Sequence, residues 1–173
     1  MRNGDVADRL RKAGSPYKII FGLLVPQIEQ IAATVTPSSE LADELWRNIS
    51  TRESRLLATM VFPQNEFTIL KAREWIASAD TKELIDMLCF RMVRNLADAE
   101  LLIAEYGCCK SDLMRYFALR LSMNLLIIGK LKDLDSVYDF AEQEYASNNP
   151  ATRNVALQVM DEIEFLKEDN PNE

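Results

Sequence analysis

The chain contains no histidine. That absence removes the commonest general base and the commonest side-chain metal ligand, so Ser–His or Cys–His catalysis and His-ligated zinc are excluded. Cysteine is scarce: of three, Cys89 falls inside an apolar run, and Cys108 and Cys109 are adjacent in a connection. No C-x-x-C pair occurs, so neither a thiolate metal site nor a dithiol redox motif has support, and no metal or cofactor is expected. The odd cysteine count and the lack of a secretory signal pattern point to a reducing, cytoplasmic setting. With only 5 Gly and 6 Pro among 173 residues, the chain is poor in the residues of tight β-turns, and no clear alternating strand appears. Long apolar runs are missing too. The most apolar segment, Leu121 to Ile128, is far too short to span a membrane.

What is present is hydrophobic material at helical spacing. Hydrophobic residues make up 48%, enough for a sizeable core in one domain or one short solenoid. The net charge of −7 argues against a broad nucleic-acid surface, although a local basic groove is compatible with it. The composition predicts an all-α protein.

Arg9, Arg11 and Lys12, with Arg2 before them, mark a short basic helix over residues 1–13, stopped at Gly14-Ser15-Pro16. Pro26 suits the first turn of the next helix, whose apolar face is Ile28, Ile31, Ala32 and Val35. Thr36-Pro37 reads as a cap and first turn before SELADELWRN, with Trp46 in the core. Ser50 and Glu53 stand at capping-box spacing and open a helix that Phe62-Pro63 ends. A helix over 66–78 carries Trp75. Asp98 to Tyr106 is short, Asp112 to Ile128 is apolar nearly all round, and Gly129 supplies its left-handed end. Leu134 to Ala146 is acidic and amphipathic, and Asn149-Pro150 caps a last helix, Ala151 to Lys167, before a frayed tail.

The stretch Asp80 to Val93, DTKELIDMLCFRMV, lies at the centre. Asp80 and Glu83 again have capping-box spacing, and Leu84, Met87, Leu88, Phe90 and Met92 make the helix apolar, as for one enclosed by neighbours. Asp86 is then a carboxylate on a largely buried element. It either pairs with an Arg or caps an adjoining helix, or it carries chemistry.

This stretch resembles the HEAT-like DNA alkylation-repair family, whose short members carry a D-S-W-D-L-C-D-Q-V-C run. Asp80, Leu84, Asp86 and Cys89 match it, and Glu83 replaces an Asp. Gly22, Val25, Pro26, Ile28, Ile31 and Ala32 match a second family pattern, G-V-x-V/I-P and the helix after it. Glu53, Arg55, Leu57 and Ala58 match a third, and Trp75 a fourth. The resemblance runs from about Gly22 to Leu166. It implies an α-α superhelix of HEAT-like hairpins in one domain over 1–173, paired at about 5–35, 38–62, 65–95, 98–128 and 134–168. Second helices starting near Thr51, Thr81, Ser111 and Ala151 recur at 30, 30 and 40 residues, the scale of an α-solenoid.

The resemblance also implies chemistry. Enzymes of this family excise alkylated purines from duplex DNA, using an aromatic cleft and an Asp that stabilises positive charge developing on the sugar. The acid falls on Asp86. The first aromatic falls on Lys82, a cleft arginine on Tyr116 with Arg115 adjacent, and the last tryptophan near Gln158 or Val159. Arg52 and Arg55, Arg91 and Arg94, Arg115 and Arg120, and Arg153 recur early in the second helices. They form a stripe for duplex phosphates or an internal ladder in which an Arg of one repeat pairs with an acid of the next, and both can hold for different members of the set. Candidate DNA contacts are Arg52, Arg55, Lys82, Arg91 and Arg115. The expectation is a divergent alkylation-repair-like protein that binds duplex DNA without efficient excision. The alternatives are a scaffold for a protein partner and an active N-glycosylase using Asp86.

Overall fold

The computed structural model describes residues 3–169. Ten α-helices occur among them: α1 (Gly4–Lys12), α2 (Val25–Ala32), α3 (Ser39–Arg47), α4 (Arg52–Val61), α5 (Ile69–Ser78), α6 (Lys82–Arg91), α7 (Leu101–Gly107), α8 (Asp112–Ile127), α9 (Leu134–Ala146) and α10 (Arg153–Asp169). The described residues hold no strand, only one isolated bridge between Ile19 and Thr51. The chain is all-α, as its shortage of turn residues predicts. It divides into two compact units, Met1–Met92 and Val93–Glu173. Arg2 and the tail from Asn170 lie outside the described residues.

Several helix boundaries follow the expected signals. Pro26 sits in the first turn of α2, where the Gln27 side chain accepts the Leu24 N–H at 2.9 Å. Phe62 is extended before Pro63 and ends α4. Gly14 and Gly129 take positive φ after α1 and α8. Asn149 Oδ1 accepts the Ala151 N–H at 2.9 Å, and its carbonyl accepts those of Thr152 and Arg153, so α10 proper starts two residues later than expected.

Three expected caps are displaced, and for Asp80 and Glu53 the reason is a tertiary contact that claims the side chain. Ser38, not Thr36, caps α3, accepting from Leu41 N–H at 3.2 Å. Its own N–H is held by Val61 O, which ties the start of α3 to the end of α4. Thr81, not Asp80, caps α6 through Leu84 N–H, because Asp80 is engaged by Arg55 and Tyr17. The Ser50–Glu53 box does not form. Thr51 precedes α4 without a side-chain cap, and Glu53 turns back onto the chain at Phe21–Leu23.

In the first unit α3 and α4 pack as a hairpin, and α4 also packs on α2 and α6. The core is aromatic. Trp46 and Trp75 stack with centroids 4.2 Å apart, and Phe62 and Phe67 meet Trp75 edge-on at 5.3 and 5.6 Å. Their indole N–H groups are satisfied by Ser78 Oγ and Asp43 Oδ1, which lets both rings be buried without an orphaned donor. In the second unit α7 packs on α8, α9 on α10, and α8 on α10. Phe117, Leu119, Leu121 and Leu125 of α8 are buried, together with Val155, Ala156, Val159 and Ile163 of α10. The apolar circumference of α8 is thus explained by neighbours on several sides.

Gly22 joins the N-terminal segment to this frame. Its φ is +76°, and a Cβ there would collide with the Asn3 carbonyl oxygen and touch Ala7 N. Left-handed backbone alone costs an L-residue about 1–2 kcal/mol, and the collision adds to that because its partner is backbone. Gly22→Ala is therefore expected to lower the melting temperature and to speed amide exchange first in α1.

Candidate functional site

The charged residues of greatest burial meet where α4 crosses α6. Arg52 and Arg55 open α4 one turn apart on the side that faces the start of α6, and both are buried. Arg52 forms a two-pronged pair with Glu83, its Nε 2.7 Å from Glu83 Oε2 and its Nη2 against Oε1. Its third nitrogen donates to Leu23 O at 2.9 Å and Glu53 Oε1 at 3.0 Å. Glu53 in turn accepts the backbone N–H groups of Phe21, Gly22 and Leu23 at 3.1, 3.0 and 3.3 Å. A buried carboxylate is tolerable here because nearly every lone pair has a donor. Burial opposes the charge on Arg52, but Glu83 and then Glu53 raise its pKa above the ordinary arginine value.

Arg55 is 0% exposed. Its Nη2 donates to Ser78 O at 2.7 Å, and the guanidinium lies over the Trp46 ring, 4.6 Å from the centroid. Nη1 is 2.9 Å from Asp80 Oδ1, an ion pair whose angle falls outside hydrogen-bond range. Asp80 also accepts the Tyr17 hydroxyl at 2.9 Å. For Arg52 and Arg55 the arrangement is therefore the internal ladder, one of the two the sequence left open. Apart from Arg55 Nε, their donors are turned to acids and carbonyls of the same unit.

Burial pushes the Tyr17 hydroxyl up to about 12, with the neighbouring Asp80 charge adding to the rise. A folded-state value above the unfolded one of about 10 means the folded protein holds a proton that the unfolded chain gives up. The stabilisation is complete below pH 10 and is lost as pH rises towards 12. Melting curves should show a steeper fall across that window for wild type than for Tyr17→Phe, which lacks the titrating group.

The remaining candidates are placed differently. Lys82 is exposed at the first residue of α6, and Asp86, one turn later, is half-buried. The deep burial expected of a carboxylate on this element belongs instead to Glu53. Arg91, at the end of α6, pairs with Glu29 of α2. Arg115 belongs to the second unit. It pairs with Asp112 at 2.6 Å and Glu144 at 2.8 Å and donates to the carbonyls of Cys109 and Lys110. Tyr116 is half-buried, Gln158 is exposed and Val159 is buried. The described residues contain no cluster of three or more metal-ligating side chains and no helix long and apolar enough to cross a membrane.

Glu53 is the residue that sequence reading misplaced most. Its signal was available, because Gly22 and Glu53 each matched a family pattern, but spacing alone assigned Glu53 to its own helix. Only the folded chain shows it bound to the turn around Gly22.

The fold and this network define an all-α protein of packed helical hairpins whose first unit is braced by buried arginine–carboxylate pairs. Residues 3–155 match the model of the family described as DNA alkylation repair enzyme, so the chain belongs to that family. No curated protein and no solved structure matches it.

Proposed function

We propose that this protein is a non-excising member of its family, a helical-hairpin binding protein that touches duplex DNA through phosphates and releases no base. The observation that carries the reading is the fate of the tryptophans. Both Trp46 and Trp75 are stacked in the interior, while Lys82 stands exposed where the resemblance expects the first aromatic. An ammonium there repels a cationic alkylated purine, whereas an aromatic face would attract it. The same ammonium suits a phosphate.

Phosphate contact in the first unit then rests on exposed Lys82 and on partly exposed Arg91 of α6, which exchanges Glu29 for a phosphate, since Arg52 and Arg55 are buried in the ladder. Two contacts give a salt slope of about −2 in log affinity against log salt, much shallower than a continuous arginine stripe would give. Lys82→Ala should weaken duplex binding at low salt with only a small change in melting temperature, because the residue is exposed. A slope several units steeper would mean that the stripe reading is correct. Absence of binding at low salt would favour the protein-scaffold reading, which the internal ladder and the net charge of −7 also support.

For catalysis the comparison is between wild type, Asp86→Asn and Lys82→Trp on duplexes containing methylated purines. Wild type is expected to release none, and Lys82→Trp to gain little. Asp86→Asn is expected to lower stability, by less than the cost of breaking a fully buried pair because Asp86 is only half-buried. Robust release by wild type that vanishes in Asp86→Asn at unchanged stability would overturn the proposal.

A further inference from the structure

Within the second unit a groove of about 570 Å³ runs between α7 and α9. Its apolar lining comes from Leu101, Ile103 and Ala104 of α7 and Val137 and Phe140 of α9. Leu101 is 62% exposed. A single exposed leucine is ordinary, but here it borders a continuous apolar trough, which is not. Gly107 shapes the floor: a Cβ there would lie 3.3 Å from the Phe140 ring, so the absence of a side chain lets that ring settle against the end of α7.

The rim is predominantly acidic. Asp98, Glu100 and Asp133 border the groove against Lys132 alone. Asp98 is exposed and enters no ion pair among the described residues. Glu100 accepts the backbone N–H groups of Lys132 and Asp133, both at 2.9 Å, which fixes the loop bearing the rim without cancelling its charge. Beyond the rim, α9 exposes Asp139 and Glu142, and neither α7 nor α9 contains a lysine or arginine.

We infer that this groove is a docking site for a basic amphipathic segment of a partner protein, which lays apolar side chains on Leu101, Ala104 and Phe140 and sets lysines or arginines against Asp98 and its neighbours. An apolar trough between two helices is the receptor half of helix-in-groove recognition. The acidic rim selects the charge of the ligand and speeds encounter. The groove is lined by residues of the second unit alone, and the proposal does not depend on whether the first unit binds DNA.

Cys108, exposed on the groove wall, reports occupancy. In a Cys109→Ser background it is the single accessible thiol, because Cys89 is buried. The probes are a synthetic helical peptide of leucine and lysine, a counterpart with serine for every leucine, and a counterpart with glutamate for every lysine. The leucine–lysine peptide should bind wild type and slow maleimide labelling of Cys108, and the other two should bind about tenfold more weakly or worse. Leu101→Lys and Ala104→Lys, both at exposed positions, should lose about tenfold in affinity at unchanged melting temperature. Equal binding of the serine peptide would show charge attraction alone and overturn the proposal. So would full affinity in both variants, or labelling of Cys108 unaffected by the peptide. None of these outcomes bears on base excision.

Discussion

Arg55→Ala is expected to destabilise the protein by about 3 kcal/mol, the low end for breaking one side of a buried ion pair. The discount reflects Asp80, which keeps 37% side-chain exposure and can recover some hydration once its partner is gone. Ser78 O loses its donor, Trp46 loses the cation over its face, and a void opens where a fully buried side chain stood. Lysine should not rescue it, because a single ammonium cannot reach the carbonyl and the carboxylate while lying flat on an indole. The measurement is the urea midpoint, expected to fall with an unchanged slope. A second reading separates ladder from stripe. If Arg55 were a phosphate contact, Arg55→Ala would weaken DNA binding while leaving the midpoint alone.

The other large effect is expected at Trp75. Its ring is 0% exposed, stacked on Trp46 and edged by Phe62 and Phe67. Trp75→Ala removes this shared contact surface and leaves a cavity, at a cost of about 3–5 kcal/mol. Asp43 does not become an orphaned acid, because Lys71 also donates to it at 3.0 and 3.2 Å. The loss should therefore come from packing and not from an unpaired charge. Trp75→Phe should recover part of it. Arg55, Trp46 and Trp75 form one stack, so the double variant Arg55→Ala with Trp75→Ala should lose less than the two single losses added together. Full additivity in chemical denaturation would mean that the stack is not a unit.

Both expectations bear on function through the same chemistry. A repair enzyme that stacks on a damaged base needs an aromatic face left open to the ligand. In this chain the two tryptophans face each other and an arginine, and the residues that could have met phosphates early in α4 brace α6 instead. In the first unit these aromatic and basic groups hold helices together.

The all-α class was legible because it rests on local quantities: few glycines and prolines, apolar residues at helical spacing, and turn residues such as Pro26 and Gly129 acting over one or two positions. The family was legible for a related reason, since short runs around Gly22, Glu53, Trp75 and Asp86 keep their spacing whatever they contact. Tertiary structure alone decided where the charges point. Capping-box spacing assigned Asp80 and Glu83 to their own helix, yet Arg55 and Arg52 on α4 claim both, and Thr81 takes over the cap. A guanidinium removed from water needs a strong acceptor more than a helix end needs a particular oxygen, because an unpaired buried charge costs several kcal/mol and a lost cap about one. Sequence can list the acids within reach of a cap. Only the packing of α4 on α6, which brings residues some thirty positions apart into hydrogen-bond range, determines which partner each one takes.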